Sequence, residues 1–137
     1  MLLPSRSVYA VSTVVLLLLD VSWVSLHARP VFERWARSVL DCPPGDALPR
    51  VLAAAVAYAL LGLALCVFVA RPGQSRSAAF FRGAVLGLCL YGVFAFTNKG
   101  VFGECYPWHL VTADVAWGTL VFGAAAGIGA AVTARSD

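Results

Sequence analysis

HLVTADVAWGTLVFGAAAGIGAAVTA, His109 to Ala134, places one acidic side chain, Asp114, inside a run otherwise built for hydrocarbon. A bilayer core about 30 Å thick is crossed by roughly 20 apolar residues in a helix. This stretch is long enough, and three others match it, at residues 8–28, 48–70 and 78–98. The breaks between them carry turn-forming residues: DCPPGDALPR (41–50), RPGQSRS (71–77) and KGVFGECYP (99–107). The spacing predicts an all-α polytopic membrane protein, four transmembrane helices in an antiparallel bundle, as a single domain over residues 1–137.

Composition agrees. Of 137 residues, 61% are hydrophobic and 12% charged, against roughly a quarter charged in soluble domains. A net charge of +3 spread along the chain gives no basis for a nucleic-acid partner; the expected partner is the lipid bilayer, with a homo-oligomer or another membrane protein as a second kind. The chain is expected to be a multi-pass integral membrane protein with both termini on one side, since the number of spans is even. Lys and Arg divide equally between the two faces, so the positive-inside rule sets no orientation. Arg6 ahead of an apolar run resembles a secretory signal, but Asp20 interrupts the run and Leu26 stands where cleavage after Ala28 wants a small residue. A retained anchor is the expectation.

PVFERWARSVL, residues 30–40, forms a short amphipathic helix. Phe32, Trp35, Ala36 and Val39 share one face, and Pro30 suits a helix start. It lies either along the interface with Trp35 at headgroup depth, or packed over the bundle mouth. Gly83 with Gly87 and Gly123 with Gly127 are small-xxx-small pairs, read as packing between spans of one chain, with self-association as the alternative. Cys42 and Cys105 lie in connections on one face and form a disulfide if that face is oxidising; otherwise they are unpaired thiols.

The acids need a separate account. An Asp at mid-membrane costs about 2.5–3.5 kcal/mol, and each Leu or Val returns about 0.3–0.6. VVLLLL ahead of Asp20 offsets one acid. Intramembrane acids face a bundle interior or a wet cavity and find partners there. At 1.5 Å per residue, Asp20 and Asp114 lie roughly 12 and 8 Å below the same face, where the third span ends with Thr97, Asn98 and Lys99. The expected site is a polar cluster of Asp20, Asn98 and Asp114, with Thr97 nearby and Lys99 as a rim partner. Trp23 and Trp117, one turn beyond each acid, are expected to line or pack around it. His27 and His109 are expected at the interface: five residues, about 140° of helix, separate His109 from Asp114 and point them apart. No metal ligand set, cofactor fingerprint or catalytic residue is assigned.

LLLLDVSW (16–23), YGVFAFTN (91–98) and YPWHLVTADVAWGT (106–119), in that order and spacing, resemble domain-of-unknown-function family 2177, membrane proteins of bacteria and algal viruses. The resemblance implies four spans and no established activity. It singles out Asp20 and Trp23; Tyr91, Gly92, Thr97 and Asn98; and Asp114, Trp117, Gly118 and Thr119. One position departs: the family's usual third acid, three residues before Asn98, is Ala95 here.

Three functions fit these residues. In the preferred one, the polar cluster is interhelical glue in a structural or partner-binding membrane protein. In the second, Asp20 and Asp114 exchange a proton or bind a cation in a small coupled transporter. In the third, the same acids act on a lipid-like substrate.

Overall fold

A computed structural model describes residues 6–41, 47–69, 71 and 73–133 of the chain, and helices are the only regular elements among them. Helix α1 (Arg6–Trp23) runs through a π-helical turn (Val24–Ala28) into α2 (Arg29–Leu40). Then follow α3 (Ala47–Phe68), α4 (Arg76–Phe102), a 3-10 turn (Gly103–Cys105) and α5 (Trp108–Thr133). Four helical stretches are long and apolar enough to cross a membrane: Ala10–Leu40, Val51–Phe68, Arg76–Cys105 and Trp108–Val132. The protein is an all-helical, multi-pass membrane bundle.

The connection after the first span differs from expectation. Pro30 does not open a separate helix, because α1 continues into α2 without a break. Proline lacks an N–H, and its ring collides with the carbonyl four residues back, here that of Leu26. The chain relieves the conflict by widening: Arg29 N–H bonds to the Val24 carbonyl, five residues back. α2 stops at Asp41, whose left-handed φ of 47° turns its N–H onto the Ala36 carbonyl.

The amphipathic side of α2 is largely covered by protein. Val31, Phe32 and Trp35 pack on a cluster of Ala95, Tyr106, Leu110 and Val111. Trp35 meets Phe102 and Tyr106 edge-on at centroid distances of 5.1 and 5.2 Å, and its indole N–H bonds to the Cys105 carbonyl. α2 therefore sits over the α4–α5 turn, as the bundle-mouth alternative has it, while Val39 and Leu40 stay exposed.

α5 is the central helix, with half of its crossing length buried. It packs against α4 along most of their shared length and against α1 on its other side, whereas α3 touches α1 and α4 lightly. The main core joins Leu16, Leu65, Val69, Val121, Phe122 and Ala125. The α4–α5 approach depends on missing side chains. A Cβ on Gly87 would stand 2.1 Å from the Gly118 carbonyl oxygen, and one on Gly118 would stand 2.1 Å from the Tyr91 ring. The Gly83 and Gly87 spacing thus serves packing within the chain. Phe80 of α4 rests against Gly123 and Gly127.

Gly87→Ala or Gly118→Ala should lower stability by about 1–3 kcal/mol through overpacking. Gly92, with no atom near its absent Cβ, is the control: Gly92→Ala should stay within about 1 kcal/mol of the parent. Unfolding in mixed micelles measures all three.

Candidate functional site

A buried carboxylate must replace the hydrogen bonds that water gave it. Asp20, in the last turn of α1, is 3% exposed. Its Oδ1 accepts the Tyr91 hydroxyl of α4 at 3.0 Å and the Trp117 indole N–H of α5 at 2.7 Å. Tyr58 of α3 brings a further hydroxyl to the same carboxylate. One acid on α1 thus draws polar groups from every other span.

The donors are held by their neighbours. Gly118 leaves room for the Tyr91 ring, which also meets Phe122 edge-on. Trp117 stacks on Trp23 with centroids 4.6 Å apart and planes 10° apart, and Trp23 stacks in turn on His27 at 4.7 Å. A column of three rings therefore leads from the buried acid toward exposed His27.

The expected polar residues divide differently. Asp114 lies within electrostatic range of Asp20, but no hydrogen bond reaches its carboxylate among the described residues. Asn98 lies instead beside Tyr106. Lys99 is not beside Asp114: it donates to the Gly103 carbonyl at 2.9 Å, approaches Glu104 at 3.6 Å and stands 5.0 Å over the Trp108 ring. The reason is position, since a cation in the last turn of α4 is held by that helix's own carbonyl end. Thr97 is exposed, and Thr119 turns back to the Val115 carbonyl at 2.7 Å. Cys105 is exposed on the 3-10 turn; Cys42, and with it the proposed disulfide, lies outside the described residues.

Sequence reasoning missed four features. Tyr58 stands in a run of Ala and Leu without a motif, and Trp117 was assigned as a wall rather than a donor. The rule that buried Tyr and Trp polar atoms need partners would have found both. The third is a cavity of about 220 Å³ between the π turn, α2 and the start of α5, whose lining includes Trp23, His27, Phe32, Arg34, His109 and Asp114. His109 and Asp114 share it despite their angular separation, because the cavity is wide enough to span both. The fourth is Tyr106: fully buried, its hydroxyl has no hydrogen-bond partner among the described residues. Burial and then the charge of Asp114 push its phenol above the ordinary tyrosine value. The Asn98 amide tempers this without closing a hydrogen bond. Ala95 is buried in the same cluster. No set of three His, Cys, Asp or Glu groups among the described residues is arranged to hold a metal.

Four apolar crossing helices around a hydrogen-bonded intramembrane acid define the class: a small polytopic integral membrane protein. The model of the DUF2177 family, described as predicted membrane proteins, matches residues 6–131, and the chain belongs to that family. No curated protein and no solved structure matches it.

Tyr91→Phe should cost about 0.6–1.7 kcal/mol, the range of interhelical hydrogen bonds in membranes. Asp20→Ala should cost about 3 kcal/mol or more, because it strands two buried donors. Unfolding in mixed micelles separates the two. Tyr106→Phe should be neutral or stabilising, since it removes a buried hydroxyl without a partner. A raised folded-state value means the folded chain holds that proton longer than the unfolded one. Parent stability should therefore be complete below about pH 10 and fall above it; in Tyr106→Phe, alkaline thermal scans should show a smaller fall.

Proposed function

We propose that the protein is a non-catalytic structural membrane protein whose spans are clamped together through Asp20, with the mouth formed by α1, α2 and α5 as its binding face. The carrying observation is the closure of the Asp20 carboxylate by donors from two different helices at 2.7 and 3.0 Å. A relay acid has to be reached by its proton or ion and then released from it. Asp20 is 3% exposed and stands behind the stacked indoles of Trp117 and Trp23, an arrangement that supports glue rather than relay. Polar residues that hold spans together need satisfied partners, and Asp20 Oδ1 has two, from different helices.

A second reading, proton- or cation-coupled transport, draws its support from Asp114, which lines a cavity and lies within electrostatic range of Asp20. The two readings separate in proteoliposomes. Under the structural reading, pH-driven flux equals that of empty vesicles for the parent, Asp20→Asn and Asp114→Asn, and Asp20→Asn lowers the melting midpoint more than Asp114→Asn does. Parent flux above empty vesicles that both substitutions abolish would move the assignment to transport.

A further inference from the structure

The cavity at the mouth carries two opposite charges that do not meet. Asp114 enters from α5 and Arg34 from α2. Among the described residues, neither has a hydrogen-bond or ion-pair partner. Both are mounted on fixed elements: α2 is pinned by Trp35 against Phe102 and Tyr106, and α5 is the central helix of the bundle. The imidazoles of His27 and His109 complete the polar lining. A carboxylate and a guanidinium held apart across one cavity match a ligand that carries both signs.

We propose that this cavity binds a phosphoethanolamine group, with its ammonium at Asp114 and its phosphate oxygens at Arg34 and the two histidines. Arginine's fork suits phosphate oxygens, and imidazole N–H groups add donors around them. The cationic end has to donate hydrogen bonds, because the acceptor facing it is a carboxylate. A quaternary ammonium wants an aromatic cage instead, and Trp23 is already stacked on both Trp117 and His27. The volume, about 220 Å³, leaves room for a group of headgroup size. The site lies at the π turn between α1 and α2 and at the first turns of α5, one end of that crossing helix. A π turn in its wall is a feature frequent at functional sites. The assignment does not depend on the role of Asp20.

The test is lipid retention by the purified, delipidated full chain in detergent, read by native mass spectrometry. Phosphatidylethanolamine, phosphatidylcholine and phosphatidylglycerol of identical acyl chains are compared. The parent should retain the ethanolamine lipid about tenfold or more over the other two, the scale of one charge-assisted hydrogen bond. Asp114→Asn should erase that preference, and Arg34→Gln should weaken retention of the ethanolamine and glycerol lipids alike. Ala113 also lines the cavity, and Ala113→Phe fills it without altering a charge; it should lower ethanolamine-lipid retention and decides the matter if Asp114→Asn fails to fold. Soluble phosphoethanolamine added as competitor distinguishes the sources: displacement of the lipid shows that the group alone is bound, and lack of displacement identifies the membrane lipid as the ligand. Equal retention of all three lipids by the parent, parent-like preference in a folded Asp114→Asn protein, or parent-like ethanolamine-lipid retention in a folded Ala113→Phe protein would overturn the proposal.

Discussion

The hydrogen bonds to Asp20 constrain most of what surrounds them. An acid in a spanning helix costs about 2.5–3.5 kcal/mol, and an interhelical hydrogen bond in a membrane returns about 0.6 and at most about 1.7. One such bond does not offset the acid; two at the strong end do. Asp20 has two, to Tyr91 and Trp117, and a further hydroxyl in Tyr58 close by. That requirement fixes how α4 and α5 are rotated toward α1. It also fixes their separation, because Tyr91 reaches Asp20 only across the surface that Gly118 leaves flat. The glycine contact and the acid's hydrogen bonds are two parts of one constraint.

Much of this was legible in the sequence, and the illegible part has a clear physical origin. Hydropathy was enough to find four crossing helices, because crossing length is a property of each segment by itself. The prediction that Asp20 would be buried among polar groups of other spans rested on the same local cost. Which groups meet it is a property of helix rotation and crossing, which periodicity within one helix does not contain. Depth along the membrane drew attention to Asn98 and Lys99; rotation gave Asp20 Tyr91 and Trp117. Lys99 answers to the carbonyls of its own helix end. Pro30 suits a helix start in the sequence, but α1 runs on through it by way of a π turn, and a start and a widened turn can have the same local sequence.

The two acids began as a matched pair and end in different surroundings. Asp20 accepts from its neighbours and is sealed; Asp114 lines a cavity. The difference comes from the aromatic residues one turn beyond each. Trp117 turns its N–H toward Asp20 rather than toward Asp114, the acid on its own helix, so the repeated Asp-x-x-Trp pattern is used asymmetrically. Both tryptophans then serve Asp20: one donates to it, and the other, Trp23, stacks on that donor.

Trp23 consequently has two neighbours with different needs. It lines the cavity that Asp114 enters, and it backs the ring that satisfies Asp20. A displacement of Trp23 from the cavity side acts on Trp117 across a 4.6 Å stack, and so on a 2.7 Å hydrogen bond to an acid that has no water to replace it. The stack and the hydrogen bond therefore tie the cavity wall to the buried clamp. In a bundle this small, an indole pair is sufficient to keep one carboxylate dry while its near neighbour lines an open mouth.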